Sequence, residues 1–249
     1  MINFLRSENY KMMKTKGYYI ISAICIMLLI MAAYTLNHFG NSGKYFPYYR
    51  ADFYYNNIIA FGILIIVIGS IINSFLVNNE SLRLLKQTVS FGISRSSIFF
   101  GKYLISLMYF VILCVISLLV VYICGRIFLP KDKKAFIDLL YAIVNMVPII
   151  LGGFSLAHAL NISGIKDFLS GIILVAVLLL SSSLFYILSK FNKVFMTLYD
   201  YSPKVLLDGI LTEYMDHNVQ LSIDYWITGI FLTVTSLLVS FYLFNKKDI

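Results

Sequence analysis

Charge is what this chain lacks first. Only 13% of its 249 residues are charged, against about a quarter in an ordinary soluble domain. The deficit is concentrated in windows 17–43, 53–79, 103–125, 139–165, 168–189 and 225–245, which hold no Asp, Glu, Lys or Arg. They are 27, 27, 23, 27, 22 and 21 residues long, and a bilayer-spanning helix needs about 20. That pattern excludes a soluble enzyme and a disordered chain. Cysteine is scarce as well: Cys25, Cys114 and Cys124 all fall inside apolar windows, with no CxxC or Cys/His spacing. A disulfide-stapled secreted fold and a thiolate metal site are thereby excluded, and the three read as small packing residues. Of four prolines only Pro148 lies within a window. Its missing amide hydrogen and its clash with the Val144 carbonyl predict a kink.

Reactive constellations are missing too. Ser155 stands in Gly153-Phe154-Ser155-Leu156, without the second glycine of an intramembrane serine protease loop. His158 shares its helical face, and two polar groups one turn apart more often bond neighbouring helices than form a catalytic pair. There is no HExxH, and three glutamates (Glu8, Glu80, Glu213) cannot make a glutamate-pair protease motif. The Gly43-Lys44 and Gly101-Lys102 pairs have His38 and Ser96 where a phosphate loop requires glycine. No catalytic residue, metal site or cofactor is therefore expected on this chain. No charged residue stands within a span, which argues against an ion-coupled carboxylate relay.

What is present is an all-α integral membrane pattern. Spanning helices are expected at about 18–36, 58–77, 103–125, 139–161, 168–189 and 225–245. The first apolar run is too long for a signal-peptide core. An even number of spans puts both termini on one side, with 11 Lys/Arg there against 9 opposite. Arg126, Lys131, Lys133 and Lys134 oppose that assignment, but Arg6, Lys11, Lys14 and Lys16 flank the first span, which usually weighs most. Both termini are expected in the cytoplasm of a multi-pass cell-membrane protein. The net charge of +8 gathers at window ends, so it reads as topology and not as nucleic-acid binding.

Two further segments read as outer elements. Residues 45–55 hold seven aromatics in eleven positions, an expected belt at headgroup level, with ligand contact as the lesser reading. In the outer stretch 190–224, Ser202 and Pro203 suggest an N-cap and first helical residue. A short helix carrying Val205, Leu206 and Ile210 should lie at or dip into the interface. The fourth span is the richest in small and polar residues, with Asn145, Pro148, Gly152, Gly153, Ser155 and His158. Close helix packing is the first reading of these. The sharper one makes Asn145, Pro148, Ser155 and His158, with Gly69 and Asn73 of the second span, the lining of a transport path.

Two segments carry the most information. Residues 1–17 are basic and helix-compatible, with Ile2, Phe4, Leu5, Met12 and Met13 apolar, suited to the inner leaflet. In 78–102, Asn78 or Asn79 can cap a short helix whose Leu82, Leu85 and Val89 form one stripe. Gly92 can end that helix in a left-handed conformation. An amphipathic cytoplasmic helix between two spans suits insertion into a groove of a soluble partner.

These segments resemble the ABC-2 family of exporter permeases. Members open with a Glu-x-x-Lys interfacial helix, matched by Glu8 and Lys11, among Phe4, Leu5 and Lys14. Between their second and third spans they carry a glutamate, a threonine, a turn, an arginine and a lysine. Glu80, Thr88, Gly92, Arg95 and Lys102 stand there, with Gln87 before Thr88 where members often have glycine and Gly92 where a turn proline is common. The closing Lys246-Lys247-Asp248-Ile249 also matches. The resemblance implies six spans, an N-terminal interfacial helix (1–17) and a coupling helix within 79–95. It also implies a second permease, identical or related, and two copies of a separate ATP-binding subunit that hold ATP and Mg. By its small size the chain looks like permeases for lantibiotic or bacitracin resistance, or for export of cytolytic peptides. The competing expectations are a stand-alone membrane immunity or binding protein, and the substrate-binding subunit of a vitamin importer.

Overall fold

The computed structural model describes residues 2–42, 46–78, 85–165 and 167–246. Among them there are helices and no strands. In chain order these are α1 (Ile2–Lys14), α2 (Lys16–Ser42), α3 (Ala51–Ala60), α4 (Gly62–Ser74), α5 (Leu85–Ser90) and α6 (Arg95–Phe128). There follow α7 (Lys133–Ile162), α8 (Asp167–Ser189), α9 (Val194–Asp200), α10 (Pro203–Met215) and α11 (Ile223–Lys246). Five of them, α2, α6, α7, α8 and α11, are long and apolar enough to cross a membrane. The count rises to six if the bent pair α3–α4 is one span. This is a multi-pass membrane protein by helix length and composition.

The expected second span at 58–77 differs most from what is found. The chain turns helical at Ala51, breaks at Phe61 and resumes at Gly62, with a 54° bend between the two halves. Gly62 permits the bend to tuck in: a Cβ there would stand 3.0 Å from Met146 Cε and 3.1 Å from Leu207 Cδ2. The aromatic segment is consequently split. Tyr48 remains exposed, whereas Tyr54 and Tyr55 are buried in the core, with the Tyr54 hydroxyl donating to the Leu29 carbonyl at 3.0 Å. Two of the expected belt residues are thus interior packing, because α3 carries them inward as a helix.

α7 is the centre of the bundle. Its small residues let neighbours approach closely, the usual basis of helix association in lipid. A Cβ on Gly229 of α11 would fall 2.2 Å from the Pro148 carbonyl carbon, and one on Gly153 would fall 2.6 Å from Ile66. Pro148 lies inside an otherwise continuous α7, so its carbonyl side is covered by α11 and not by water.

The stretch 190–224 contains two helices, not one. Ser202 does precede Pro203 at the start of α10, but its hydroxyl donates back to the Tyr199 carbonyl and caps nothing. Nor does α10 merely lie at the surface. Leu207, Ile210 and Tyr214 enter the same core as Tyr54 and Leu139, and the Tyr214 hydroxyl donates to the Ala135 carbonyl at 3.1 Å. Burial, with Asp52 next in weight, pushes the Tyr214 phenol well above its usual range.

Candidate functional site

The site begins with α1, whose amphipathic pattern buries Phe4 and Met12 and leaves Lys11 and Lys14 in solvent. Phe4 and Leu5 lie over Gly101, where a Cβ would come within 2.8 Å of the Phe4 ring. That close seat brings Glu8 down onto Lys102. The two pair at 3.0 Å, with side chains only 12% and 4% exposed. Lys102 also donates to the Leu76 carbonyl at 2.7 Å, just beyond the end of α4. A cation at this place stands near the C-terminal end of α4, where the helix dipole favours positive charge. Glu8 therefore pairs with a residue 94 positions away, and not with Lys11 in its own Glu-x-x-Lys pattern. A second fastening lies alongside, from the Tyr109 hydroxyl to Asn9 Oδ1 at 2.9 Å.

One turn deeper, Ser106 and Asn73 continue the polar seam. The Asn73 amide donates to Ser106 Oγ at 2.8 Å and meets His158 Nδ1 at 2.9 Å. Asn73 Oδ1 accepts from Asn161 at 3.0 Å, and Asn161 Oδ1 accepts from Ser170. α4, α6, α7 and α8 are joined by this one network. With the Asn73 amide donating, His158 carries its proton on Nε2, which is buried without a partner. Its ring is held edge-on by Phe99 and Tyr103, at 5.1 and 5.2 Å.

Ser155 and His158 do not address each other. Ser155 shares a hydrogen bond with the Tyr103 hydroxyl at 2.8 Å and donates to the Leu151 carbonyl. Both serve helix–helix contacts within the bundle. Among the residues expected to line a path, Asn73, Ser155 and His158 sit in or beside this network, and Gly69 packs on Phe154 and Phe110. Asn145 and Pro148 do not join them. Asn145 donates to the Gln220 carbonyl at 2.7 Å, fastening α7 to the entry of α11.

The connector before α6 is built from turn chemistry. Gly92 has φ +83°, and its amide donates to the Val89 carbonyl at 2.9 Å. It is therefore the left-handed stop expected for the short helix. Ser94 then caps α6, accepting from the Ser97 amide at 3.2 Å. Arg95 donates to the Asn245 carbonyl near the end of α11. Thr88 is half-buried, and Val89 packs partly against the core. The exposed apolar residue is instead Phe91, 84% accessible. Glu80 and Leu82 lie outside the described residues, as does 247–249, and for Leu85 only its place at the start of α5 is described.

Sequence reasoning missed Ser106, Asn161, Ser170, Tyr103 and Phe91. One signal was available, because Ser155, His158 and Asn161 recur every three residues along one face of α7. Comparison with protein-family models, with characterised proteins and with solved structures finds no match for this chain.

Proposed function

We propose that this chain is the permease subunit of an ATP-driven, ABC-2-type exporter that moves an amphipathic or membrane-active peptide. In this reading it crosses the cell membrane six times, the α3–α4 pair counting as one broken span, with both termini cytoplasmic. The observation that supports it is the convergence of α1, the connector 85–102 and the end of α11 at one end of the bundle. α5 runs through Gly92 and Ser94 directly into α6. Arg95 ties that start to α11, while Lys102 ties it to α1 and α4. A push on α5 is thereby transmitted to four longer helices, as a partner ATPase would require.

In the proposed cycle two separate subunits bind ATP and Mg and close, displacing α5. The displacement would open a path between this chain and a second permease. The aliphatic surfaces of the spans suit a cargo whose transfer is driven by area and not by matched charge. The polar seam around Asn73 and His158 would hold the moving helices in register. Phe91, exposed at the tip of the connector, is the side chain placed to enter an ATPase groove.

The test is whether an ATP-binding subunit co-purifies with the tagged full chain from its native membrane, comparing wild type with Phe91→Asp. Loss of the ATPase from a still-monodisperse variant, with loss of resistance to or secretion of a membrane-active peptide, is expected. Full stoichiometry and intact transport in the variant would refute the docking assignment. A wild-type chain that confers protection with no ATPase present would favour a stand-alone immunity protein. Impermeant labelling of single cysteines checks orientation: position 46 should react from outside and position 85 should not.

A further inference from the structure

The two ends of α6 carry different charge chemistry. Lys102, near its start, is buried and paired, whereas Arg126, near its end, is exposed. The 24 helical steps from one to the other (126 − 102) span about 36 Å at the helical rise of about 1.5 Å per residue, a little more than the roughly 30 Å hydrocarbon layer. Arg126 thus lies at the headgroup level opposite α1. It stands beside Lys131 and Lys133, which have no ion-pair partner among the described residues. These are the residues that run against the charge bias of the rest of the chain.

They also border an open cavity of about 450 Å³ between α6 and α7. Its walls are of two kinds. Leu118, Leu119, Phe136 and Ile137 make an apolar side, and Arg126, Lys131 and Lys133 make a basic rim. Tyr55 enters beside Gly125, where a Cβ would stand 2.2 Å from the tyrosine hydroxyl, so glycine is what opens this corner. The one acid on the rim, Asp132, is engaged as the N-cap of α7, accepting from the Ala135 amide at 3.0 Å. The Arg126 guanidinium is preset, donating to the Tyr122 hydroxyl at 2.7 Å and lying 5.6 Å from that ring's centre.

We propose that this cavity is a binding site for an anionic glycerophospholipid of the adjacent leaflet. The phosphate is held by Arg126, Lys131 and Lys133, and one acyl chain lies along Leu118, Leu119 and Ile137. The charge complementarity is direct: three cations against the one carboxylate of Asp132 leave the rim net positive at headgroup depth, and the apolar wall continues from there toward the bilayer centre. A zwitterionic lipid would bring a choline into the same basic rim and be disfavoured. The site does not depend on the transport reading, and it explains why basic residues remain on this side of the membrane.

The experiment uses the full chain in nanodiscs of equal phosphatidylglycerol and phosphatidylcholine, followed by release into neutral detergent and native mass spectrometry. Wild type should retain phosphatidylglycerol in preference to phosphatidylcholine. Arg126→Gln/Lys131→Gln/Lys133→Gln should lower that retention by about tenfold or more, since each basic residue near a lipid surface contributes measurably. A charge-matched control, Lys190→Gln/Lys193→Gln/Lys204→Gln, should retain the lipid as wild type does. Circular dichroism and gel filtration confirm that both variants fold. Equal retention of the two lipids by wild type would overturn the proposal. So would equal losses in the two triple variants, which would indicate bulk charge and not a site. A protein dimer that the first triple variant dissolves, without any change in bound lipid, would assign the face to a second copy of the chain.

Discussion

α2 and α7 both satisfy every compositional rule for a membrane span, and α2 is the more apolar of the two by mean hydropathy. Yet only 6% of the most apolar stretch of α2 is buried within the bundle, against 50% for α7. Greater hydrophobicity therefore does not mean greater burial. In lipid the acyl chains are as apolar as leucine, so an aliphatic helix gains little by leaving them for a protein neighbour. α7 is drawn inward by what it has in place of aliphatics: glycines that allow backbone approach, and Asn145, Ser155, His158 and Asn161, which need partners. The sequence reading weighed Asn145, Ser155, His158 and the glycines, though not Asn161, as packing or as path. The geometry found within one chain is packing.

The strongest way to break this contrast is at the charge under α1. Lys102→Met should destabilise the protein by about 3–5 kcal/mol, because Glu8 is left buried and unpaired. Adding Glu8→Gln should recover a large part of that loss, read as a double-mutant cycle by thermal unfolding in detergent. Simple additivity of the two changes would mean the pair contributes nothing. Next in size is the α7–α11 seam. Gly229→Leu places a side chain into the Pro148 backbone and should cost about 1–3 kcal/mol or prevent assembly, visible as aggregation in gel filtration. Normal melting of that variant would show that the two helices are not in close contact.

Smaller effects separate the faces further. Asn73→Leu removes the hub that joins α4, α6, α7 and α8, and hydrogen bonds between membrane helices average about 0.6 kcal/mol, reaching about 1.7. A loss near the upper value is expected, with His158 and Asn161 both losing a partner. At the bottom of the scale, Ile24→Leu and Met27→Leu on the exposed side of α2 should change stability by no more than about 0.5 kcal/mol. A larger penalty at either would reveal that α2 is covered by another chain in the membrane, which would itself sharpen the case for a second permease.

Which features were legible is a matter of range. The long apolar helices, the stop at Gly92 and the helix beginning at Pro203 depend on residues close together in the chain and were legible there; five of the six expected spans each coincide with a single long apolar helix. The bend at Phe61 was not legible, since no proline marks it and the 53–79 window carries no charge that would interrupt a span. Tyr54 and Tyr55 turn inward with α3, so that end of the aromatic segment is core and not belt. For the candidate site, Glu8 and Lys102 were each singled out, but as parts of different segments with different expected roles. The seating of Phe4 over Gly101 is what brings Glu8 onto Lys102, and nothing local to either segment announces it.

The sequence by itself determined that this chain is helical and built to cross a membrane, because hydropathy and helix length are sums over contiguous residues. It also determined where charge is tolerated, which is at the window ends. Tertiary structure alone decided which helix became the centre and which was left at the rim. It alone placed Lys102 beneath α1 and opened a basic-rimmed cavity beside Gly125. The reason is physical. A burial or a hydrogen bond depends on how close two backbones come, and here that closeness is set by pairs such as Gly229 with Pro148. Such pairs stand tens of residues apart in the chain, and no local sum contains them.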